Sequence, residues 1–339
     1  MHKFRNHIQQ LYILFHYLSF RRIANFCNLA LSYLLSIARL QRVQNQLPYF
    51  ISIEPANFCN LNCPECPVGN QRFPISEKTT IDMQIYKKLI KELKPTLLHV
   101  IFYFQGEPFL NKDLKDFVQY AHDAHIYTST STNGQFLTDK NAKEIVLSGL
   151  DKLIVSIDGT TQEVYEIYRA GGSLNKAIEG IKGIVAWKKE LKSATPLVEI
   201  QFLVLKTNEH QMQEMKILVK SLGIDRLKFK TAQLYDFEYG NALMTSKRKY
   251  SRYIKKNDGK YHIKVKQPNR CWRLWSGSVV NTKGDVLPCC FDKKYDFSFG
   301  NIQESSFFSI WHSKKASDFR GKVLQNRKQF EMCKNCTSN

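Results

Sequence analysis

With 339 residues and 43% hydrophobic content, the chain can bury a sizeable core, has room for one large domain and a smaller one, and is excluded from the disordered class. A formal net charge of +20 favours anionic partners (nucleic acid, phosphorylated substrates or an acidic membrane surface), although a solvated basic surface has the same composition. Nine cysteines do not read as a disulfide framework, because all except Cys27 fall in metal-type spacings; a reducing, cytoplasmic setting follows if those spacings hold iron and sulfide. No apolar run reaches the roughly 20 residues of a membrane span.

In chain order, residues 1–48 carry six Lys or Arg and no Asp or Glu. Ile23, Phe26, Leu29, Leu34 and Ile37 recur at helical spacing, so one or two amphipathic helices are expected. Such a basic helix suits peripheral attachment to anionic lipid, and it equally suits a helical hat packed on the main domain. Lys3 and Arg5 precede an apolar stretch, 11–20, with no small-residue cleavage site after it.

From residue 49 to about 235 the pattern alternates strand-like runs with helix-like periods, as in repeated βα units on a parallel sheet. Strands are expected at 50–54, 98–104, 127–132, 152–157, 197–205 and 226–231. Helices are expected at 82–94, 112–125, 139–148, 175–192 and 209–222. Just after the first strand, Cys59, Cys63 and Cys66 stand in a C-x3-C-x2-C spacing. An iron–sulfur cubane normally takes four thiolates, so three would leave one iron open; zinc is the competing reading, though it prefers four ligands and C-x2-C pairs.

Residues 236–270 read as a basic linker. Between 247 and 266 nine Lys or Arg face one acid, Asp258, with Tyr250, Tyr253 and Tyr261 between them. Cations beside aromatics can grip a nucleic-acid strand, but no nucleic-acid module accompanies them, which argues for the linker. Residues 271–339 hold Cys271, Cys289, Cys290, Cys333 and Cys336, with a hairpin-like turn through Gly284 and a closing C-x2-C.

The three-cysteine spacing after the first strand of an α/β chain resembles the radical S-adenosylmethionine (SAM) superfamily. That resemblance implies a partial (β/α)6 TIM-like barrel over 49–235, a [4Fe–4S] cluster on Cys59, Cys63 and Cys66, and SAM chelating the open iron to yield a 5′-deoxyadenosyl radical. Barrel sites lie at the carboxyl ends of the strands, and the family's other segments have counterparts there. Gln105-Gly106-Glu107-Pro108 resembles the segment that holds the SAM amino group, with Gln105 where Gly is common. Thr132-Asn133-Gly134 matches the turn that closes the site, and Ser156-Ile157-Asp158-Gly159 the segment near the methionine and ribose. Arg169 stands where an arginine contacts the SAM carboxylate; Leu203, Val204 and Asn208 fall in the region lining adenine. One departure is Glu65, where the residue before the third cysteine is usually aromatic.

The last 69 residues resemble the SPASM or twitch auxiliary domain of maturases and dehydrogenases. This implies one auxiliary [4Fe–4S] cluster on Cys271, Cys289, Cys333 and Cys336, with Cys290 the alternative to Cys289 and a four-cysteine zinc site the competing structure. Asp292 stands where some relatives place a proton acceptor, and an ordinary surface Asp is the expected reading. The resemblance further implies an electron donor such as flavodoxin or ferredoxin and a substrate that is a peptide, a protein or a carbohydrate. An RNA-modifying enzyme and a non-catalytic Fe–S or zinc binding protein are the rival functions. No catalytic residue is assigned.

Overall fold

The computed structural model describes residues 16–38, 46–73 and 77–337. Helix α1 spans Phe20–Ile37, started by Ser19, whose side chain accepts from the Arg22 amide. Then follow β1 (Phe50–Ile53), α2 (Met83–Leu93), β2 (His99–Phe102), α3 (Leu114–Asp123), β3 (Tyr127–Thr132), α4 (Asp139–Leu147), β4 (Lys152–Ser156), α5 (Gln162–Tyr168), α6 (Leu174–Glu190), β5 (Leu197–Val204), α7 (Met212–Ser221) and β6 (Arg226–Thr231). A short pair, β7 (Tyr253–Lys255) and β8 (Tyr261–Ile263), precedes α8 (Arg273–Ser276), β9 (Gly277–Val280), β10 (Val286–Leu287), α9 (Phe307–Trp311), α10 (Lys314–Asn326) and α11 (Glu331–Lys334).

Side-chain caps explain where many of the helices begin. Asp82 accepts from the Gln84 and Ile85 amides, and Thr138, Thr161 and Ser173 do the same for α4, α5 and α6. Helix α5 is absent from the sequence expectation because seven residues are too short to display a helical period. The second strand ends at Phe102 rather than 104, before the turn of Pro108–Leu110 that Glu107 caps.

The described chain forms two compact units. One contains the described residues of 1–57, 77–129 and 267–339. In it β1 runs parallel to β2 (Phe50 opposite His99) and to β9 (Phe50 opposite Gly277), and β9 turns back antiparallel onto β10 (Val280 opposite Val286). The carboxyl-terminal segment is tied to this unit by Glu92, which accepts from the Phe307 and Phe308 amides, and by Trp311, whose Nε1 donates to the Gln46 carbonyl. The other unit contains the described residues of 58–76 and 130–266, with β4, β5 and β6 parallel in that order.

Residues expected as a plain basic linker instead include the antiparallel β7–β8 pair. Tyr253 is buried there, stacked on Phe237 at 4.3 Å, and its hydroxyl bridges the Leu234 amide (2.8 Å) and carbonyl (2.9 Å). A ring so enclosed cannot stack on a base.

Helix α1 is held by one buried cation. The Arg22 guanidinium donates to the carbonyls of Tyr17, Lys94, Ala124 and His125, of which Lys94 and Ala124 end α2 and α3. Helix ends present unpaired carbonyls and a partial negative charge, which a guanidinium answers. Replacing it with the apolar Met should leave these carbonyls underbonded and cost about 2–3 kcal/mol. Urea denaturation of Arg22→Met checks this; an unchanged midpoint would remove Arg22 from the forces that seat α1.

Candidate functional site

The loop after β1 closes tightly on itself. The Cys66 amide donates to the Cys63 carbonyl at 3.1 Å, and the Asn70 amide to the Cys66 carbonyl at 2.9 Å. Gly69 lies so close that a Cβ there would meet the Cys63 nitrogen at 2.6 Å. Leu61 and Cys63 are buried in an apolar group with Tyr168, Leu205 and Leu234, and Cys59 and Cys66 pack against the same group. All three cysteines therefore border one apolar group, although no three metal-ligating side chains among the described residues stand gathered as a metal site.

Donors from two strand-end segments reach these sulfurs. Asn133 Nδ2 bonds Asn60 Oδ1 at 2.8 Å and lies 3.7 Å from Cys59 Sγ; Arg169 Nη1 lies 3.9 Å from Cys63 Sγ. Burial raises the Cys63 pKa, and the Arg169 charge opposes that rise. Gly134, in the left-handed region at φ +81°, lets the Thr132-Asn133-Gly134 turn approach Ala177 on α6, where a Cβ would stand 3.0 Å from the alanine's.

Asp158 organises the ends of β4 and β5. It is fully buried; Oδ2 accepts from Arg169 Nε at 2.6 Å and Oδ1 from the Leu203 amide at 2.6 Å. Asn208 donates to the Asp158 and Leu203 carbonyls and accepts from the Leu205 amide. Arg169 is thus a half-buried, ion-paired residue. Ser156 is half-buried at the end of β4, and Val204 is buried at the end of β5.

Sequence reasoning missed the role of Glu65. Its carboxylate accepts from the Tyr235 amide and from Asn241 Nδ2, both at 2.9 Å, so the non-aromatic residue pins the 235–241 segment beside the cysteine loop. Arg72 lies over the Tyr235 ring and makes two bonds to Asp236. Partners 170 residues apart leave no local signal.

In the other unit, Cys271, Cys289, Cys333 and Cys336 are all buried. Burial raises the pKa of Cys271, Cys289 and Cys333, the last to about 11, with mutual thiolate repulsion adding to each. The Arg327 guanidinium opposes the rise at Cys271 and Cys333. Gln267 Nε2 donates to the carbonyls of Cys333, Lys334 and Cys336, clasping the last C-x2-C turn. Cys290 is half-buried: Arg273 Nη1 donates to its sulfur at 2.8 Å, and it packs on Phe104, Val279 and Leu287.

Gln105, Gly106 and Glu107 belong to this second unit too. Gln105 Nε2 donates to the Lys293 carbonyl at 3.0 Å, and buried Glu107 caps its turn through the Phe109 amide. Nearby, fully buried Glu54 accepts from the Tyr295 hydroxyl at 3.1 and 3.2 Å. Burial pushes Glu54 up to about 7, against the Tyr295 bond and the Lys293 charge. Asp292 is also buried, raised to about 6 by desolvation, and accepts from the Asp296 and Phe297 amides, so it is not a surface carboxylate.

The family model described as Radical SAM superfamily matches residues 53–225. The chain belongs to that superfamily. A second model, an iron–sulfur cluster-binding (SPASM) domain, matches residues 271–337. Among curated relatives, the tungsten-containing aldehyde ferredoxin oxidoreductase cofactor-modifying protein of Pyrococcus furiosus is 24% identical over 316 residues, 85% of this chain and 87% of that protein. The PqqA peptide cyclase of Bradyrhizobium diazoefficiens is 24% identical over 311 residues, 86% of this chain and 79% of its own. SuiB of Streptococcus suis bound to S-adenosylmethionine superposes with a TM-score of 0.62 at 15% identity, covering 91% of this chain and 76% of that one. BtrN in complex with AdoMet and 2-DOIA gives 0.54 at 21%, covering 87% and 95%.

The fold of this radical SAM protein is accordingly a partial barrel of βα units with a small auxiliary domain. Its cofactors are SAM, a [4Fe–4S] cluster and auxiliary iron–sulfur. The donor set fits them: buried or half-buried soft thiols, each group with a guanidinium nearby to offset thiolate charge.

Two outcomes follow from this geometry. Gly69→Ala should force the cysteine loop open and cut the iron bound by the amino-terminal site severalfold, read by iron analysis of the Gly69→Ala protein; full iron content would show that the loop tolerates the added methyl. Below pH 4.5 Glu54 is protonated in both folded and unfolded chains, and between 4.5 and about 7 only the unfolded chain ionises. Stability should therefore fall by on the order of 3 kcal/mol across that interval. Relative to wild type, Glu54→Gln should lack this component of the pH dependence in urea melts; parallel curves would refute the assignment.

Proposed function

We propose that Cys59, Cys63 and Cys66 ligate the SAM-binding [4Fe–4S] cluster, and that Cys271, Cys289, Cys333 and Cys336 ligate one auxiliary [4Fe–4S] cluster. What supports the reading is the C-x3-C-x2-C loop whose three cysteines pack on one apolar group, with Asn133 and Arg169 within reach of two of the sulfurs. Cys289 is preferred to Cys290 because it is buried, as Cys271, Cys333 and Cys336 are, whereas Cys290 is half-buried and its sulfur accepts from Arg273.

When bound, these groups supply one-electron reduction of SAM, removal of a substrate hydrogen atom and an acceptor for the remaining electron. The protein's own residues supply placement. Asp158 holds Arg169 and the β5 end in register, Glu65 fixes the segment beside the loop, and Arg169 keeps positive charge next to Cys63. Gln105, Gly106, Glu107, Asn133, Ser156, Asp158, Arg169 and Val204 are proposed to contribute to the SAM site. The net reaction is an oxidation, with the electron donor a flavodoxin or ferredoxin. We assign the substrate to the peptide class, because three of the relatives matched along most of their length are PqqA peptide cyclases.

Anaerobically reconstituted protein should hold about eight irons per chain, as two cubanes require, and release 5′-deoxyadenosine from SAM with dithionite. Joint replacement of Cys59, Cys63 and Cys66 by Ala should remove about half the iron and all SAM cleavage. Cys271→Ala should retain cleavage and lose oxidised product. Zinc in place of carboxyl-terminal iron, or no 5′-deoxyadenosine from fully loaded protein, would overturn the assignment.

A further inference from the structure

Helix α1 turns its polar side inward and its apolar side out. The buried positions are Arg22, Asn25, Ser32, Ser36 and one aliphatic residue, Leu29. The polar ones are bonded where they lie: Arg22 to the four carbonyls described above, Asn25 Nδ2 to the Leu47 carbonyl at 2.8 Å, and Ser36 Oγ to the Ser32 carbonyl at 2.8 Å. The outward stripe is Phe20, Ile23, Leu31 and Leu34, with relative exposures of 86%, 47%, 54% and 61%, and Cys27 stands exposed among them. Steps of three and four residues place them on one helix face. A contiguous apolar stripe left in water marks an interaction surface rather than a packing face.

Charge selects the occupant. Apart from Arg22, which is buried, residues 1–48 contain five Lys or Arg and no acid, with Arg21 exposed on α1, so a second copy of this segment would bring like charge against like with no carboxylate from the segment to answer it. Anionic lipid headgroups answer those charges, while the acyl boundary receives the apolar stripe. No described helix is long and apolar enough to cross a membrane, and the Arg22 bonds hold the inner face of α1 against its own unit. The geometry suits a helix lying in the interface.

We propose that α1 seats this chain on membrane surfaces rich in anionic phospholipid, with Phe20, Ile23, Leu31 and Leu34 entering the acyl boundary. This goes beyond the reaction proposed above and does not depend on it. The test is flotation of the full chain with vesicles of phosphatidylcholine alone or of phosphatidylcholine mixed with phosphatidylglycerol. Binding is expected only to the anionic vesicles and should weaken with added salt. Replacing all four stripe residues by Ser should reduce partitioning at least about tenfold, with the unfolding midpoint unchanged. If that variant fails to fold, Phe20→Asp, at the most exposed position, should give the same loss. Absence of binding to anionic vesicles, or equal binding by the folded variant, overturns the proposal. So does a wild-type dimer that the variant breaks while neither protein floats with vesicles.

Discussion

A wholly buried carboxylate, Asp158, is the point on which the cysteine-bearing unit depends. Its two oxygens are taken by the Arg169 side chain and the Leu203 amide, and its carbonyl is taken by Asn208. Removing one member of such a pair leaves the other charge unanswered in a dry interior, at a cost of about 3–5 kcal/mol. Because Arg169 also lies against Cys63, the same pair connects the strand ends to the loop of thiols. A small network therefore joins the sheet, the helix after β4 and the cysteine loop.

The auxiliary cysteines obey the same logic with different parts. Arg327 offsets thiolate charge, while Gln267 ties three carbonyls of the final turn from a position 66 residues upstream. Buried thiols prefer to stay protonated, as the raised Cys289 and Cys333 show. Metal binding requires the thiolate, so it must overcome that preference, and a nearby guanidinium reduces the opposition.

Helix α1 departs from the usual economy of a folded surface. Five large apolar side chains, Phe20, Ile23, Phe26, Leu31 and Leu34, are exposed while an arginine lies inside, where it caps two other helices. In the sequence, Ile23, Phe26, Leu29 and Leu34 read simply as an amphipathic helix. Which face turns inward depended on the carbonyls waiting at the ends of α2 and α3.

Periodicity and cysteine spacing in the sequence alone determined the order of βα units, the two cysteine groups and the radical SAM kinship, because these are local patterns along the chain. Strand β6 and strand β3 agree with expectation to the residue. Only the tertiary structure decided what Glu65 holds, that Arg169 is ion-paired to Asp158, that Cys290 accepts from Arg273, and that Tyr253 is core. Each of these rests on partners brought together from distant parts of the chain or on the direction in which one side chain turns, and a linear pattern carries neither.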